Sequence, residues 1–208
     1  MDFSQYSTLV NANLINDGIS IFLGIALSAA CGFRVFVPFL MLSLVGVMNW
    51  WSLPPGFEWL DSPEALIVLA VASSLEVIAY GIPWLDNLLD VIATPLATLA
   101  GVLATVTVLP ADMTPLVQWT LAVIAGGGSA GLVKGFTNIS RLTSTATTGG
   151  LGNFIVASLE LMVAILLPLL ALSLPVIAGL VVCVILFAGL GFVAIQVWQK
   201  RAKTKEVS

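Results

Sequence analysis

Two glutamates stand in the middle of apolar runs, and they constrain the fold of this chain more than any other feature. The first lies in Ala72-Ser73-Ser74-Leu75-Glu76, within a run that ends at Pro83; the second lies in Val156-Ala157-Ser158-Leu159-Glu160, within a run that meets Pro168. A carboxylate that faces lipid at the centre of a bilayer is strongly disfavoured, so each must face a helix neighbour or a polar cavity. The shared wording, followed in both cases by a proline, reads as the trace of a duplication.

The runs lie in a chain of 208 residues that is 59% hydrophobic and 9% charged, with a mean hydropathy of +1.10. A soluble domain carries about 25% charged residues, so the sequence is that of an integral membrane protein whose first partner is the lipid bilayer. The net charge of -4, with most cations in the final residues, leaves no basic footprint for nucleic acid. There is no histidine, and Cys31 and Cys183 are far apart in apolar runs. No metal or cofactor is therefore expected, and an enzyme would have only carboxylates and hydroxyls to work with.

Residues 1–17 form a polar segment without Lys or Arg, unlike a secretory signal. A first group of three spans is expected over 18–109 and a second over 110–199, followed by a basic tail at 200–208. Span one, Gly18 to Met48, is long and is interrupted at Gly32-Phe33-Arg34 and Pro38, which predicts a broken helix. Trp50, Trp51 and Trp59 in the following loop suit a headgroup interface. Span two carries Glu76, span three contains Thr94-Pro95, and span four passes through Gly126-Gly127-Gly128. The Thr- and Ser-rich stretch Thr137 to Gly150 reads as a flexible polar loop whose last hydroxyls cap the fifth helix. Span five carries Glu160, and span six ends in the Lys/Arg tail. The positive-inside rule then puts both termini in the cytoplasm.

With the glutamates in register, Gly24, Ser28 and Gly32 of span one match Gly127, Gly131 and Gly135 of span four. This small-xxx-small spacing lets helix backbones approach closely. The expectation is an all-α bundle of six spans, built as two inverted three-helix repeats relating 20–109 to 115–199. Spans one and four would be broken and would meet through their glycine faces, closest at Gly32 and Gly135. Inverted repeats of this kind build many secondary transporters, with sites near the midplane at the repeat interface.

Arg34, Glu76 and Glu160 are the candidate substrate or ion site, because an intramembrane charge needs a partner and Arg34 needs an anionic one. Asp86 and Asp90 are secondary candidates that also read as caps at a span's N-terminus. Lys134 reads as snorkelling to the cytoplasmic surface. Arg141, beside Thr143 to Gly150, is a candidate anion cradle.

The segments Ser28-Ala29-Ala30-Cys31-Gly32-Phe33-Arg34-Val35-Phe36-Val37-Pro38 and Glu76…Ile82-Pro83-Trp84-Leu85-Asp86-Asn87-Leu88-Leu89-Asp90 resemble domain-of-unknown-function family 4126. So does Thr147-Thr148-Gly149-Gly150…Asn153…Ser158-Leu159-Glu160, and through that motif Asn153 joins the secondary candidates. The resemblance spans roughly 20 to 170 and implies a bacterial inner-membrane protein, but no activity. The family pattern usually has an acidic residue near Tyr80; this chain has the tyrosine, one helical turn after Glu76.

Two functions compete. One is a small transporter or channel for a small polar or anionic solute, coupled to protons through a glutamate and assembled as a two-fold homodimer. The other is a membrane scaffold or assembly factor in which the same charges are structural.

Overall fold

A computed structural model describes residues 3–50, 52–53, 56–80 and 83–206, without the side chains of 3–15, 83–90, 192–193, 196–197 and 199–206. Trp51 and the side chains of Asp86 and Asp90 lie outside the described residues.

The described chain is helical. Helix α1 runs Phe3–Phe33 and ends in a break at Arg34–Phe36, after which α2 covers Val37–Val47. The break falls where the sequence predicts it. Pro38 is tolerated in the first turn of α2, where its missing N–H has no helical acceptor in any case. The chain leaves α2 through Asn49, in a left-handed conformation (φ 55°) that asparagine accepts more readily than most residues. Trp50 and Trp59 are exposed, while Phe57 and Leu60 are buried against α2. Ser43 donates to the Leu60 carbonyl at 2.7 Å and fixes the short 3-10 turn Glu58–Asp61 there.

Helix α3, Pro63–Ala79, has Ser62 as its N-cap, accepting from the Ala65 amide at 3.2 Å, and Pro63 in its first turn. Helix α4 is Pro83–Val108 and carries Pro95. Helix α5, Pro115–Leu121, runs through a π-helical segment, Ala122–Gly127, into α6, Gly128–Thr148. Span four is thus distorted at its glycines rather than cut. Helix α7 is Asn153–Ser173, and α8 is Pro175–Glu206.

The polar stretch expected as a loop, Thr137 to Gly150, is instead mostly the second half of α6. Its hydroxyls hydrogen-bond back along the helix: Ser140, Thr143, Thr147 and Thr148 donate to the carbonyls of Phe136, Ile139, Thr143 and Ser144 at 2.7–2.9 Å. Side chains that satisfy themselves in this way let a hydrophilic run stay helical. Its buried residues, Ser129, Ala130, Val133, Lys134, Thr137 and Arg141, fall on one helical face. The helix stops at Gly149, whose φ of 64° is a left-handed C-terminal cap. The Thr148 hydroxyl then accepts from the Gly152 amide at 2.9 Å, at the entry to α7.

Helix α1 is the hub and touches α4, α6, α7 and α8, while α2 packs against α3 and α7. Its contact with α4 is made of small residues. Ala26, Ala29 and Ala30 face Ala97, Ala100 and Ala104 in one buried core. Ser28 donates to the Gly101 carbonyl at 2.6 Å, and Thr105 donates to the Gly24 carbonyl at 3.2 Å. Backbones this close gain dispersion contacts that lipid does not offer in exchange.

The two glycine series do not meet face to face as expected. A Cβ on Gly32 would strike the Ala130 carbonyl and Val133 of α6, so Gly32 does mark a close approach. One on Gly127 or Gly131 would meet Thr98 of α4, and one on Gly135 meets no described atom within 4 Å. The matching glycines of span four therefore serve α4, and Gly135 is not a contact point.

Small residues lie inside and large apolar ones outside, as at Leu99, Leu103, Leu116, Leu151 and Phe187. Among the described residues, four stretches are long and apolar enough to cross a membrane: Asn16–Phe33, Val91–Val108, Pro115–Thr148 and Asn153–Ser173. The chain is a helical membrane protein.

Candidate functional site

The α1–α2 break, the end of α3, the buried face of α6 and the middle of α7 meet around Tyr80. The charged residues collect there because each sits at a place where backbone or helix face turns inward. Arg34 is the first residue after α1, with its amide still bonded to the Ala30 carbonyl at 3.2 Å. Lys134 and Arg141 are seven positions apart on α6, two turns along one face. Glu160 lies on the buried side of α7.

Glu160 accepts from both Nε and Nη2 of Arg141, the first at 3.1 Å, so the pair is bidentate. Both side chains are buried. Arg34 approaches the same carboxylate more loosely, with Nη2 4.0 Å from Oε2 and donating to the Ala157 carbonyl at 3.3 Å. Its Nε and Nη1 are buried without an acceptor among the described residues. Glu76 makes no ion pair of this kind among the described residues. It accepts from the backbone amides of Val35 (2.7 Å) and Phe36 (3.1 Å), the two residues that complete the break. Those amides have no helical acceptor, and the carboxylate supplies one.

Tyr80 is what joins these groups. The guanidinium carbons of Arg34 and Arg141 stand 4.0 and 4.3 Å from its ring centre, and the Lys134 ammonium stands 5.1 Å away. The negative face of an aromatic ring attracts cations, the more so out of water. Lys134 also donates to the Tyr80 hydroxyl at 2.9 Å. Asn138, one turn along α6, donates to Thr94 at 3.3 Å and ties the cluster to α4.

Two expectations are corrected. Lys134 does not snorkel to a surface: it is 1% exposed, because its position on α6 points it at Tyr80. Arg141 is not a loop residue waiting for an anion but one half of the buried pair with Glu160. Asn153 stands apart from the cluster, donating to Thr145 at 2.9 Å across the α6–α7 turn. Gly24 and Ser28 serve the α1–α4 contact. Tyr80 was missed as a site residue, although its departure from the family pattern one turn after Glu76 was the signal that could have found it. The period of Val133, Lys134, Thr137 and Arg141 was the signal for the cationic face.

Two clefts reach this cluster from the sides. One, of about 330 Å³, runs between Phe33, Phe136, Leu159 and Ile185 and ends at Glu160. The other, of about 390 Å³, has Phe36, Leu75 and Leu96 in its wall and Glu76 and Tyr80 in its lining. Apolar walls with a few convergent polar groups are the usual form of a small-molecule site.

Neither the curated proteins nor the solved structures yield a match to the chain. The model of one protein family, described as "Domain of unknown function (DUF4126)", matches residues 21–195, which takes in every member of the cluster. The chain belongs to that family.

Proposed function

We propose that the chain is a small membrane transport protein for a small polar or anionic solute, with Glu76 as its proton-responsive group. The observation that carries this reading is that one carboxylate, Glu76, holds the broken segment between α1 and α2, directly beside the buried cation Arg34. Glu160 is tied to Arg141 and lies nearer Arg34, so Glu76 is the carboxylate left to exchange a proton. Protonation of Glu76 weakens its hold on the Val35 and Phe36 amides and lets the break move, and Arg34 moves with it.

Two inverted halves are supported by the recurrence of the Ser-Leu-Glu wording. Pairing of two copies would enlarge the enclosed volume of so small a bundle. A bacterial inner membrane, with both termini cytoplasmic, completes the reading.

The test is flux in liposomes holding a pH-sensitive dye, with nitrate or formate gradients imposed. Wild type should move protons with the anion, and Glu76→Gln should fold but lose that coupling. A second reading, the scaffold, is favoured by one observation: Glu160 is fully engaged by Arg141. It takes over if wild-type liposomes pass no more of either anion than empty ones.

A further inference from the structure

The geometry points to a binding site for one small monovalent oxyanion, of the nitrate or formate kind, on the Arg34 guanidinium beside the Tyr80 ring. The inference deepens the transport reading and takes its biological sense from it.

Arg34 is 2% exposed, yet its Nε and Nη1 have no acceptor among the described residues. A guanidinium does not give up its proton in a protein, so these N–H groups cannot be silenced by neutralisation. They need acceptors, and each nearby carboxylate oxygen already serves another donor and bonds neither of them. Both oxygens of Glu160 accept from Arg141, and those of Glu76 accept from the Val35 and Phe36 amides. The Tyr80 ring draws the cation but offers it a π-face, and the Tyr80 hydroxyl already accepts from Lys134. No described residue supplies the missing acceptor, and a small anion entering the cluster would.

Its chemistry follows from its surroundings. It should be negative, because a desolvated cation is matched best by an opposite charge with hydrogen bonds. It should carry a single charge, because Glu76 and Glu160 stand in the same cluster and repel a second. It should be small, because Arg34 is enclosed. A planar oxyanion offers several acceptor lone pairs to a planar guanidinium. The cleft lined by Phe36, Leu75, Leu96, Glu76 and Tyr80 gives a way to the ring that Arg34 covers.

The experiment is thermal unfolding of the full chain in nanodiscs of uncharged lipid, titrated with sodium nitrate or sodium formate at fixed ionic strength, with sulfate as the divalent comparison. Wild type should show a saturable rise in Tm with nitrate or formate and not with sulfate. Arg34→Lys keeps the charge but removes Nε and Nη1, and should weaken the midpoint by about tenfold, the loss of one good charged hydrogen bond. Should that variant not fold, the formate proton NMR signal with wild type decides: broadening by the protein, reversed by nitrate, supports the site. Nitrate and formate acting no more than sulfate on wild type overturns it and leaves trapped water as the acceptor. So does an unchanged midpoint in Arg34→Lys. Binding is read without a gradient. Saturable binding without flux therefore keeps the site and removes transport, and flux without binding at Arg34 overturns the site alone.

Discussion

The two glutamate segments begin alike and end differently. Ser74 and Ser158 each donate to the carbonyl four residues back, Ala70 and Phe154, at 2.7 and 2.8 Å. Leu75 and Leu159 both face outward. There the likeness stops. Glu160 is 3% exposed and held by a bidentate arginine, whereas Glu76 is half-buried and held by two backbone amides. Local wording sets the helix face and the serine bond, because both depend only on residues within one turn. The partner is set by what the rest of the chain brings to each place, and that differs. Four residues after Glu76 stands Tyr80, and four residues after Glu160 stands Ala164. One carboxylate has become a fixture, and the other a latch on a helix break.

The largest expected effect tests the fixture. Glu160→Gln leaves Arg141 and Arg34 buried around a neutral amide, and breaking a buried pair from one side costs about 3–5 kcal/mol. Thermal unfolding in detergent should show a large loss of Tm. A variant as stable as wild type would mean that Glu160 is not the main counter-charge of Arg141.

The next test compares the glycines of the two halves. Gly32→Leu drives a side chain into the Ala130 carbonyl and Val133, and overpacking of this kind costs about 1–3 kcal/mol. Gly135→Leu meets open space among the described residues and should stay within about 0.5 kcal/mol of wild type. Equal losses in the two variants would restore the symmetric contact that the sequence suggests.

Glu76→Gln tests the latch. The amide oxygen still accepts one N–H, so the global cost is about 1 kcal/mol. The local effect is larger: hydrogen exchange at Val35 and Phe36 should quicken while α4 stays protected. Slow exchange at both amides in the variant would show that the break does not depend on the carboxylate.

Much of this was legible in the sequence. The membrane class, the break at Gly32-Phe33-Arg34, the tight packing at Gly24, Ser28 and Gly32, and the pairing of Arg34 with a glutamate follow from hydropathy, proline chemistry and the cost of a bare charge. What failed was hydropathy used as a test of helicity. Thr137 to Gly150 looked too polar for a span, yet its hydroxyls bond to their own helix, and its cations serve the inner face. Gly101 and Thr105, the α4 side of the α1 contact, escaped because a single glycine and a lone threonine make no pattern. Tyr80 escaped because an aromatic residue in an apolar run looks like core, and only the fold brings three cations to its ring.

An effect about as small as that of Glu76→Gln is expected from removing one atom at Tyr80, which stands four residues after Glu76 where Ala164 stands four after Glu160. Tyr80→Phe keeps the ring beneath Arg34 and Arg141 and removes only the hydroxyl that accepts from Lys134 at 2.9 Å. The loss should be about 1 kcal/mol from the described bond to Lys134, while the cation–π contacts stay. Tyr80→Ala puts after Glu76 the residue type that follows Glu160 at the same spacing, Ala164. It removes the cation–π contacts as well and should cost at least about 1 kcal/mol more. A double-mutant cycle of Tyr80→Phe with Lys134→Met measures the coupling through that bond, which both changes remove. A coupling near zero would mean that the hydroxyl is idle and that Tyr80 gathers the cations through its ring alone.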